Sequence, residues 1–197
     1  MKVSDAPFAA IDFESAGTAP GLTDEPVQVA IVQWQSESPV VALNSHLRPS
    51  RPVTWAAQQV HGISADQLTG APRLVDLWPR VRSGLEGRWV VAHGAATEKR
   101  FLRVFPLHRF GPWVDTLTLT RAVYPSLPSY ALGDAVTALG LLDQIQLPGF
   151  RWHDAASDAI ASLVLLSHLI KAADLANEPA EILTRPNLGA YFASRRK

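Results

Sequence analysis

An apolar stretch that ends in two acidic residues constrains this chain more than any other feature. Residues 8–11 have the apolar character of a buried strand, and Asp12 and Glu14 follow with one residue between them. Residues i and i+2 of a strand point to the same face. Both carboxylates should therefore project from one place near the carboxyl end of a central strand.

This pair of carboxylates is unfavourable unless an opposite charge lies nearby, because the two like charges repel each other. A divalent cation such as Mg²⁺ or Mn²⁺ supplies that charge and prefers oxygen ligands. In the simpler alternative, one acid faces solvent and the other caps the turn at residues 15–17. The pair by itself leaves both interpretations open.

The pattern of apolar residues predicts an α/β fold with a mixed sheet and helices packed on it. A hairpin should follow the first strand, with a polar turn at residues 36–38, and later strands alternate with helices. The predicted strands are 8–14, 26–34, 39–48, 88–93 and 113–114, and the predicted helices are 54–60, 74–85, 95–105, 116–124, 131–139 and 153–173. Pro79 predicts a kink or a late start in the second of these helices.

The composition is that of a globular protein with one domain. At 197 residues the chain can bury a sizeable core, and it has no apolar run of the ~18 residues that a transmembrane helix needs. The first seven residues lack the apolar core of a signal peptide, so we expect a cytoplasmic protein without a membrane partner. The absence of cysteine excludes disulfides and thiolate metal ligands.

The net charge is zero, but the charged residues are unevenly distributed along the chain. Residues 51–110 carry nine basic and four acidic side chains, whereas residues 1–50 carry two and six. The basic segment is compatible with contacts to a phosphate backbone. A solvated helix face explains the same charges equally well.

Candidate metal ligands occur at the ends of several predicted elements. Asp12 and Glu14 end the first strand, Glu98 lies in the first turn of the helix after strand 88–93, and Asp158 follows His153 at the start of the last helix. In an α/β sheet, such positions meet at the carboxyl ends of the strands. Four carboxylates and a histidine there suit a site for two divalent cations, with the histidine as general base for an attacking water.

Several short motifs follow one another in a characteristic order. They are Asp12-Phe13-Glu14-Ser15, Val60-His61-Gly62-Ile63, the segment 91–102, the segments 114–117 and 127–132, and His153-x-Ala155-x-x-Asp158. Together they resemble the motifs of the DEDDh 3′–5′ exonucleases, the family of the proofreading subunit of bacterial DNA polymerase III. The resemblance covers residues 8–168, which is most of the chain.

The resemblance implies a fold, a domain division and a reaction. The fold is ribonuclease H-like, with a mixed five-stranded sheet and helices on both faces, and the exonuclease domain spans 1–175 before a C-terminal extension at 176–197. The reaction is metal-dependent removal of nucleoside monophosphates from the 3′ end of DNA or RNA. A DNA polymerase is an implied partner, although the short tail after residue 173 favours a free-standing enzyme. The sequence does not define an oligomeric state.

The resemblance also implies roles for single residues. Asp12 would bridge two Mg²⁺ or Mn²⁺ ions, Glu14 and Asp158 would hold the first of them, and Glu98 would serve the second. His153 would accept the proton of the attacking water. Taken without the resemblance, His153 is a polar residue before a helix and Asp158 is an acid favoured by the helix dipole.

Glu98 departs from the family pattern, which has Asp at this position. Glutamate keeps the charge but reaches about one methylene further, and Mg²⁺ tolerates poor geometry badly. We therefore expect an active but slow enzyme, with a preference for Mn²⁺ as one consequence. Two alternatives stay open: a nucleic-acid-binding module with impaired catalysis, in which Glu98 is solvated, and an enzyme that acts on short RNA.

The remaining polar and aromatic residues have simpler interpretations. Asp115 is expected as a helix N-cap, His61 and His93 as structural residues, and Leu22 as a candidate wedge beside the terminal nucleotide. Four tryptophans are expected in the core: Trp55, Trp78, Trp89 and Trp113.

Overall fold

The structure is a computed structural model and describes residues 1–21, 23–35, 38–185, 190, 191 and 193. Leu22, the predicted turn residues 36 and 37, and the end of the chain at 194–197 lie outside the described residues. The strands are β1 (Phe8–Ser15), β2 (Pro26–Gln35), β3 (Ser38–His46), β4 (Trp89–Ala92) and β5 (Trp113–Asp115). They form one five-stranded sheet in the order β3-β2-β1-β4-β5.

The sheet is mixed, as predicted, and β1 lies at its centre. β1 pairs antiparallel with β2 and parallel with β4, while β2 pairs antiparallel with β3 and β4 pairs parallel with β5. The carboxyl ends of β1, β4 and β5 therefore meet at one edge of the sheet. The residues that follow these three strands come together at that edge.

The helices agree with the predicted positions to within a few residues, with one addition. They are α1 (Trp55–His61), α2 (Ala65–Leu68), α3 (Trp78–Leu85), α4 (Ala96–Phe101), α5 (Thr116–Val123), α6 (Leu132–Ala138) and α7 (Ala155–Ala172). Pro79 lies at the start of α3, so this helix starts late, after a 3₁₀ turn at Leu74–Leu77. α2 was not predicted, because it is a single turn held by the capping box of Ser64 and Gln67 and is too short to show helical periodicity.

Alternate residues of the central strands pack against helices on opposite faces of the sheet. Ala10 and Val91 belong to the core that contains α5, α6 and α7. Ile11 and Val90 belong to the other core, with residues of α3 and α4. This alternation is the period of two expected of a strand that is buried on both sides, and it confirms that helices cover both faces.

α7 is the longest helix and is long and apolar enough to span a membrane by length and composition alone. However, 67% of it is buried within the fold, where it packs on β1 and β2. Such burial is what the core helix of a globular protein shows.

The described part of the predicted C-terminal extension packs on the main core. The N–H groups of Val3 and Ser4 donate to the carbonyl oxygens of Glu178 and Ala176, at 2.9 Å in both cases. Ile182 and Leu183 are buried in the same core as α7. The domain boundary at residue 175 stays a prediction.

The expectation that four tryptophans lie in the core is wrong for one of them. Trp89 is buried, and Trp78 and Trp113 pack partly buried against the core. Trp55 is 76% exposed. It is the first residue of α1, and it lies on the solvent side of that helix with Ala56, Gln59 and Val60, whereas His61 is buried.

Candidate active site

The carboxyl end of β1 carries the first two candidate ligands. Asp12 and Glu14 lie opposite Ala30 and Gln28 in the β1–β2 ladder. Glu14 is buried and Asp12 is partly buried. Because they are two residues apart on one strand, their side chains share a face, as the sequence predicted.

α7 brings the third carboxylate to the same place. Its first residues, Ala155 and Ala156, pack against Ala30, and all three are buried. Small side chains on both surfaces allow the helix to approach the sheet closely beside Asp12. Asp158 lies in the first turn of α7 and faces this region.

His153 precedes α7 in an uncommon backbone conformation, with φ of 60°. This left-handed region is unfavourable for a residue with a side chain and is often found at functional sites. One ligand atom each from Glu14, His153 and Asp158 lies within 4.8 Å of the other two. Among the described residues, Asp12 and Glu98 are not part of this group of three.

Glu98 is in the first turn of α4 and is only 5% exposed. Its Oε2 atom is buried and has no hydrogen-bond partner in the described part of the chain. Its charge contributes to raising the pKa of Asp12, so the two carboxylates face the same region. Glu98 is therefore not the solvated acid that one alternative required.

Asp115 fixes the turn that leads to Glu98. As predicted, it caps its helix, and its carboxylate accepts from the N–H of Leu117 at 3.0 Å. It also accepts from Gly94 at 3.0 Å and Ala95 at 3.2 Å, which lie directly before α4. Asp115 thus joins the end of β5 to the turn after β4.

The electrostatics of this group favour a bound positive charge. Burial is the largest cause of the raised pKa values, followed for Asp12 by the charges of Asp158, Glu98 and Glu14. The pKa of Asp12 is well above its ordinary value, that of Glu14 rises to about 8, and those of Asp158 and Glu98 rise to about 7. These carboxylates become fully charged near neutral pH only if something compensates their repulsion.

The residues present fit a divalent cation. Glu98 Oε2 and Asp158 Oδ1 are both buried without a hydrogen-bond partner among the described residues. A buried carboxylate oxygen is costly unless it is paired or coordinates a metal. Carboxylate oxygens with one imidazole are a donor set that suits Mg²⁺ or Mn²⁺.

The other two histidines of the motifs have structural roles, as expected. His61 Nδ1 accepts from the N–H of Ile63 at 3.0 Å, so its Nε2 carries the proton and donates to the carbonyl oxygen of Ser15 at 3.2 Å. The ring of His93 lies 2.9 Å from Thr116 Oγ1 and 2.8 Å from the carbonyl oxygen of Tyr130. Burial lowers the pKa of both rings.

Sequence reasoning missed a buried glutamine beside the site. Gln28 is 3% exposed and its side chain reaches Asp154 and Ala155 at the start of α7. The available signal was a glutamine between apolar residues of β2, a strand that also contains Gln33 and Gln35. Such a residue is expected to have hydrogen-bond partners, although the sequence does not show which ones.

Comparison with known proteins decides the family. Residues 9–166 match the sequence model of the exonuclease family named RNase_T, and this range is most of the chain. The chain belongs to the exonuclease family. The family and the ribonuclease H-like fold inferred from the motifs are thereby confirmed.

Individual relatives show how far the similarity extends. Exodeoxyribonuclease 10 of Escherichia coli is 28% identical over 184 residues, which cover 92% of this chain and 77% of the relative. DNA polymerase III PolC-type of Thermotoga maritima is 31% identical over 160 residues, which cover 79% of this chain. The chain spans only 11% of the length of that polymerase.

The fold has a counterpart among solved structures. Exonuclease X in complex with 5′ overhanging duplex DNA superimposes with a TM-score of 0.73 and 24% sequence identity. The match covers 90% of this chain and 99% of exonuclease X. Exonucleases of the family generally use divalent metals, and the group of Glu14, His153 and Asp158 is a possible ligand set for one.

Proposed function

We propose that this protein is a metal-dependent 3′–5′ exonuclease that releases nucleoside monophosphates from DNA or RNA. One observation carries the proposal: next to Asp12 at the carboxyl edge of the sheet, Glu98 and Asp158 each have a buried carboxylate oxygen that finds no hydrogen-bond partner within the described part of the chain. Membership of the exonuclease family supports the same reaction.

Two divalent cations, Mg²⁺ or Mn²⁺, would be held by Asp12, Glu14, Glu98 and Asp158. When bound, they would stabilise the charge on the attacking and leaving oxygens of a phosphodiester. The four side chains come from three elements, because β1 carries two of them and both α4 and α7 pack on β1. Such preorganised support keeps ligands in place and excludes alternative geometries.

His153 is the candidate general base. Its side chain is exposed while its ligand-type nitrogen lies within 4.8 Å of atoms of Glu14 and Asp158. An imidazole at the solvent side of a carboxylate cluster can accept a proton from water and pass it to bulk solvent. The strained φ of His153 supports a role that depends on this placement.

The rim next to the carboxylates suits a nucleic-acid strand. The N–H of Thr54 donates to the carbonyl oxygen of Ala16 at 2.8 Å, which places the start of α1 beside the segment after β1. Residues 48–63 contain no acidic residue, and Arg48 is exposed, whereas the side chain of Arg51 is only 11% exposed and pairs with Asp24 at 3.7 Å. The exposed indole of Trp55 lies at this rim, where a base could stack on it.

The buried position of Glu98 favours an enzyme over a binding module that lacks the second metal. A DNA polymerase partner is a proposal of its own, and relatives such as the PolC-type polymerases support it. The cytoplasmic location likewise stays a prediction.

The test is release of mononucleotides from 5′-labelled single-stranded DNA and a matched RNA, in Mg²⁺, in Mn²⁺ and in chelator. We expect a stepwise ladder from the 3′ end that requires a metal, and the faster substrate identifies the preferred nucleic acid. Short and long RNA run side by side separate an enzyme for short oligomers from a general one. Binding without any ladder in either metal would support the binding module instead.

A further inference from the structure

Gln28 is a buried polar side chain with three hydrogen bonds and lies outside the set of candidate ligands. It lies on β2 directly opposite Glu14 of β1 and is 3% exposed. Its Nε2 donates to Asn44 Oδ1 at 3.1 Å and to Asp154 Oδ2 at 3.0 Å, and its Oε1 accepts from the N–H of Ala155 at 3.2 Å. Because the N–H of Ala155 can only donate, the orientation of this amide is fixed.

The contacts of Gln28 converge on the segment that carries two candidate site residues. Asp154 is the N-cap of α7, and its Oδ1 accepts from the N–H of Ser157 at 3.2 Å. Its carbonyl oxygen accepts from the N–H of Asp158 at 2.9 Å. His153 directly precedes it with its strained φ. Gln28 therefore holds the peptide that lies between His153 and Asp158.

Neither glutamate nor leucine at position 28 could serve all three partners as the glutamine does. A glutamate at position 28 could still accept from Ala155, but it has no N–H to donate and would face the carboxylate of Asp154. A leucine fills a similar volume but removes the partner of the Ala155 N–H and the Gln28 contacts of Asn44 and Asp154, although Asp154 keeps its contacts with Ser157 and Arg151. Unpaired buried polar groups of this kind are costly, so the helix end is expected to shift.

We propose that Gln28 is a positioning residue that locks the N-terminus of α7 onto β2 and so sets His153 and Asp158 against Glu14. The inference rests on the proposed function for its catalytic consequence. Its structural part, the placement of a metal ligand, can be measured without catalysis. A side chain that supports metal ligands in this way typically changes metal affinity or activity by about 10- to 100-fold when it is replaced.

The experiment compares Gln28→Leu, Gln28→Glu and the double variant Gln28→Glu/Asp154→Asn. In the double variant, the amide introduced at position 154 can donate to the carboxylate introduced at position 28, so donor and acceptor are exchanged. The matched control is Gln33→Leu, because Gln33 is a second buried glutamine of β2 and donates to the carbonyl oxygen of Gly84 instead. Mn²⁺ affinity is measured by calorimetry, and kcat and KM are measured on single-stranded DNA.

We expect Gln28→Leu and Gln28→Glu to weaken Mn²⁺ binding and to lower kcat, each about 10-fold or more, with little change in KM. The double variant should recover most of both losses, and Gln33→Leu should lower Tm without changing Mn²⁺ affinity. Unchanged Mn²⁺ affinity in Gln28→Leu, or no recovery in the double variant while it is folded, would overturn the inference. If Mn²⁺ affinity falls in the single variants and recovers in the double variant, but the parent protein has no nuclease activity, the proposed function is rejected and the positioning role of Gln28 is retained.

Discussion

Ala30 lies directly opposite Asp12 in the β1–β2 ladder and contacts the first turn of α7. The small side chain at this position is what allows the helix with Asp158 to approach the strand with Asp12. Replacing Ala30 by Leu should separate the two carboxylates, because the added methylenes have no free space.

For Ala30→Leu we expect a loss of about 1–3 kcal/mol in the free energy of unfolding and a smaller rise in Tm when Mn²⁺ is added. The matched control is Ala135→Val in α6, which overpacks a buried position of the core away from the carboxylates. Thermal denaturation with and without Mn²⁺ measures both effects. If both variants show the same Mn²⁺-induced rise in Tm, the close approach at Ala30 does not determine the site.

Glu98 should limit the rate in Mg²⁺, because its side chain is about one methylene longer than the aspartate of the family pattern. We expect Glu98→Asp to raise kcat in Mg²⁺ about 10-fold and to reduce the ratio of kcat in Mn²⁺ to kcat in Mg²⁺. Glu98→Gln, which removes the charge but keeps the length, should lower activity in both metals. A rate unchanged by Glu98→Asp would show that the length of this side chain is not limiting.

The stability of the metal-free protein should fall as pH rises through neutrality. The folded-state pKa of Glu14 is about 8 and those of Glu98 and Asp158 are about 7, all above the values of unfolded carboxyl groups near 4. Between these limits the folded protein binds more protons than the unfolded chain. The stabilising contribution is thus complete below pH ~4 and is lost as pH rises through 7 to 8.

The measurement is Tm of the protein in chelator between pH 7.0 and 8.5, because the lowered pKa values of the His61 and His93 rings act in the opposite direction at lower pH. Glu14→Gln should remove part of the decline, so this variant should exceed the parent in Tm at pH 8.5 by at least ~2 °C. Mg²⁺ or Mn²⁺ should raise the Tm of the parent most at high pH, because metal ligands must be deprotonated. A Tm in chelator that rises steadily across this range would contradict the raised pKa values.

Trp55 should contribute to nucleic-acid binding rather than to stability. We expect Trp55→Ala to weaken binding of single-stranded DNA by about 1–3 kcal/mol, the range for one base stacked on an aromatic ring, and Trp55→Phe to retain most of the affinity. Fluorescence anisotropy of labelled DNA in chelator, where no cleavage occurs, gives the affinities. If Trp55→Ala and the parent bind with equal affinity, the single-stranded DNA does not contact Trp55.

Much of the fold could be predicted from the sequence, because the periodicity of the apolar residues and the positions of glycine and proline at the ends of elements are clear. The apolar run before Asp12, the hairpin strands and the predicted helix ends at residues 85 and 139 all fall close to where the structure has them. The exposed position of Trp55 was not readable, because α1 is short and residue type alone does not tell which of its faces is buried. α2 is defined by a capping box rather than by apolar periodicity, so the pattern of apolar residues did not predict it.

The candidate site was readable only in part. The sequence identified the five candidate residues, but it could not show that Glu98 is buried with an oxygen that lacks a partner among the described residues, since this depends on how α4 packs. It also could not connect Gln28 with Asp154, which are 126 residues apart in the chain. Such contacts arise from the tertiary packing of α7 on β2 and leave only a weak local signal.

The most direct test of the account is the rate of mononucleotide release by Asp12→Asn and His153→Asn, beside the control His108→Asn in the loop after α4. In Mn²⁺, we expect the first two variants to lose at least about 100-fold in kcat, while His108→Asn keeps the parental rate and all three keep the parental fold by circular dichroism. Retention of the parental rate by folded Asp12→Asn would contradict the central claim that these carboxylates form the catalytic metal site.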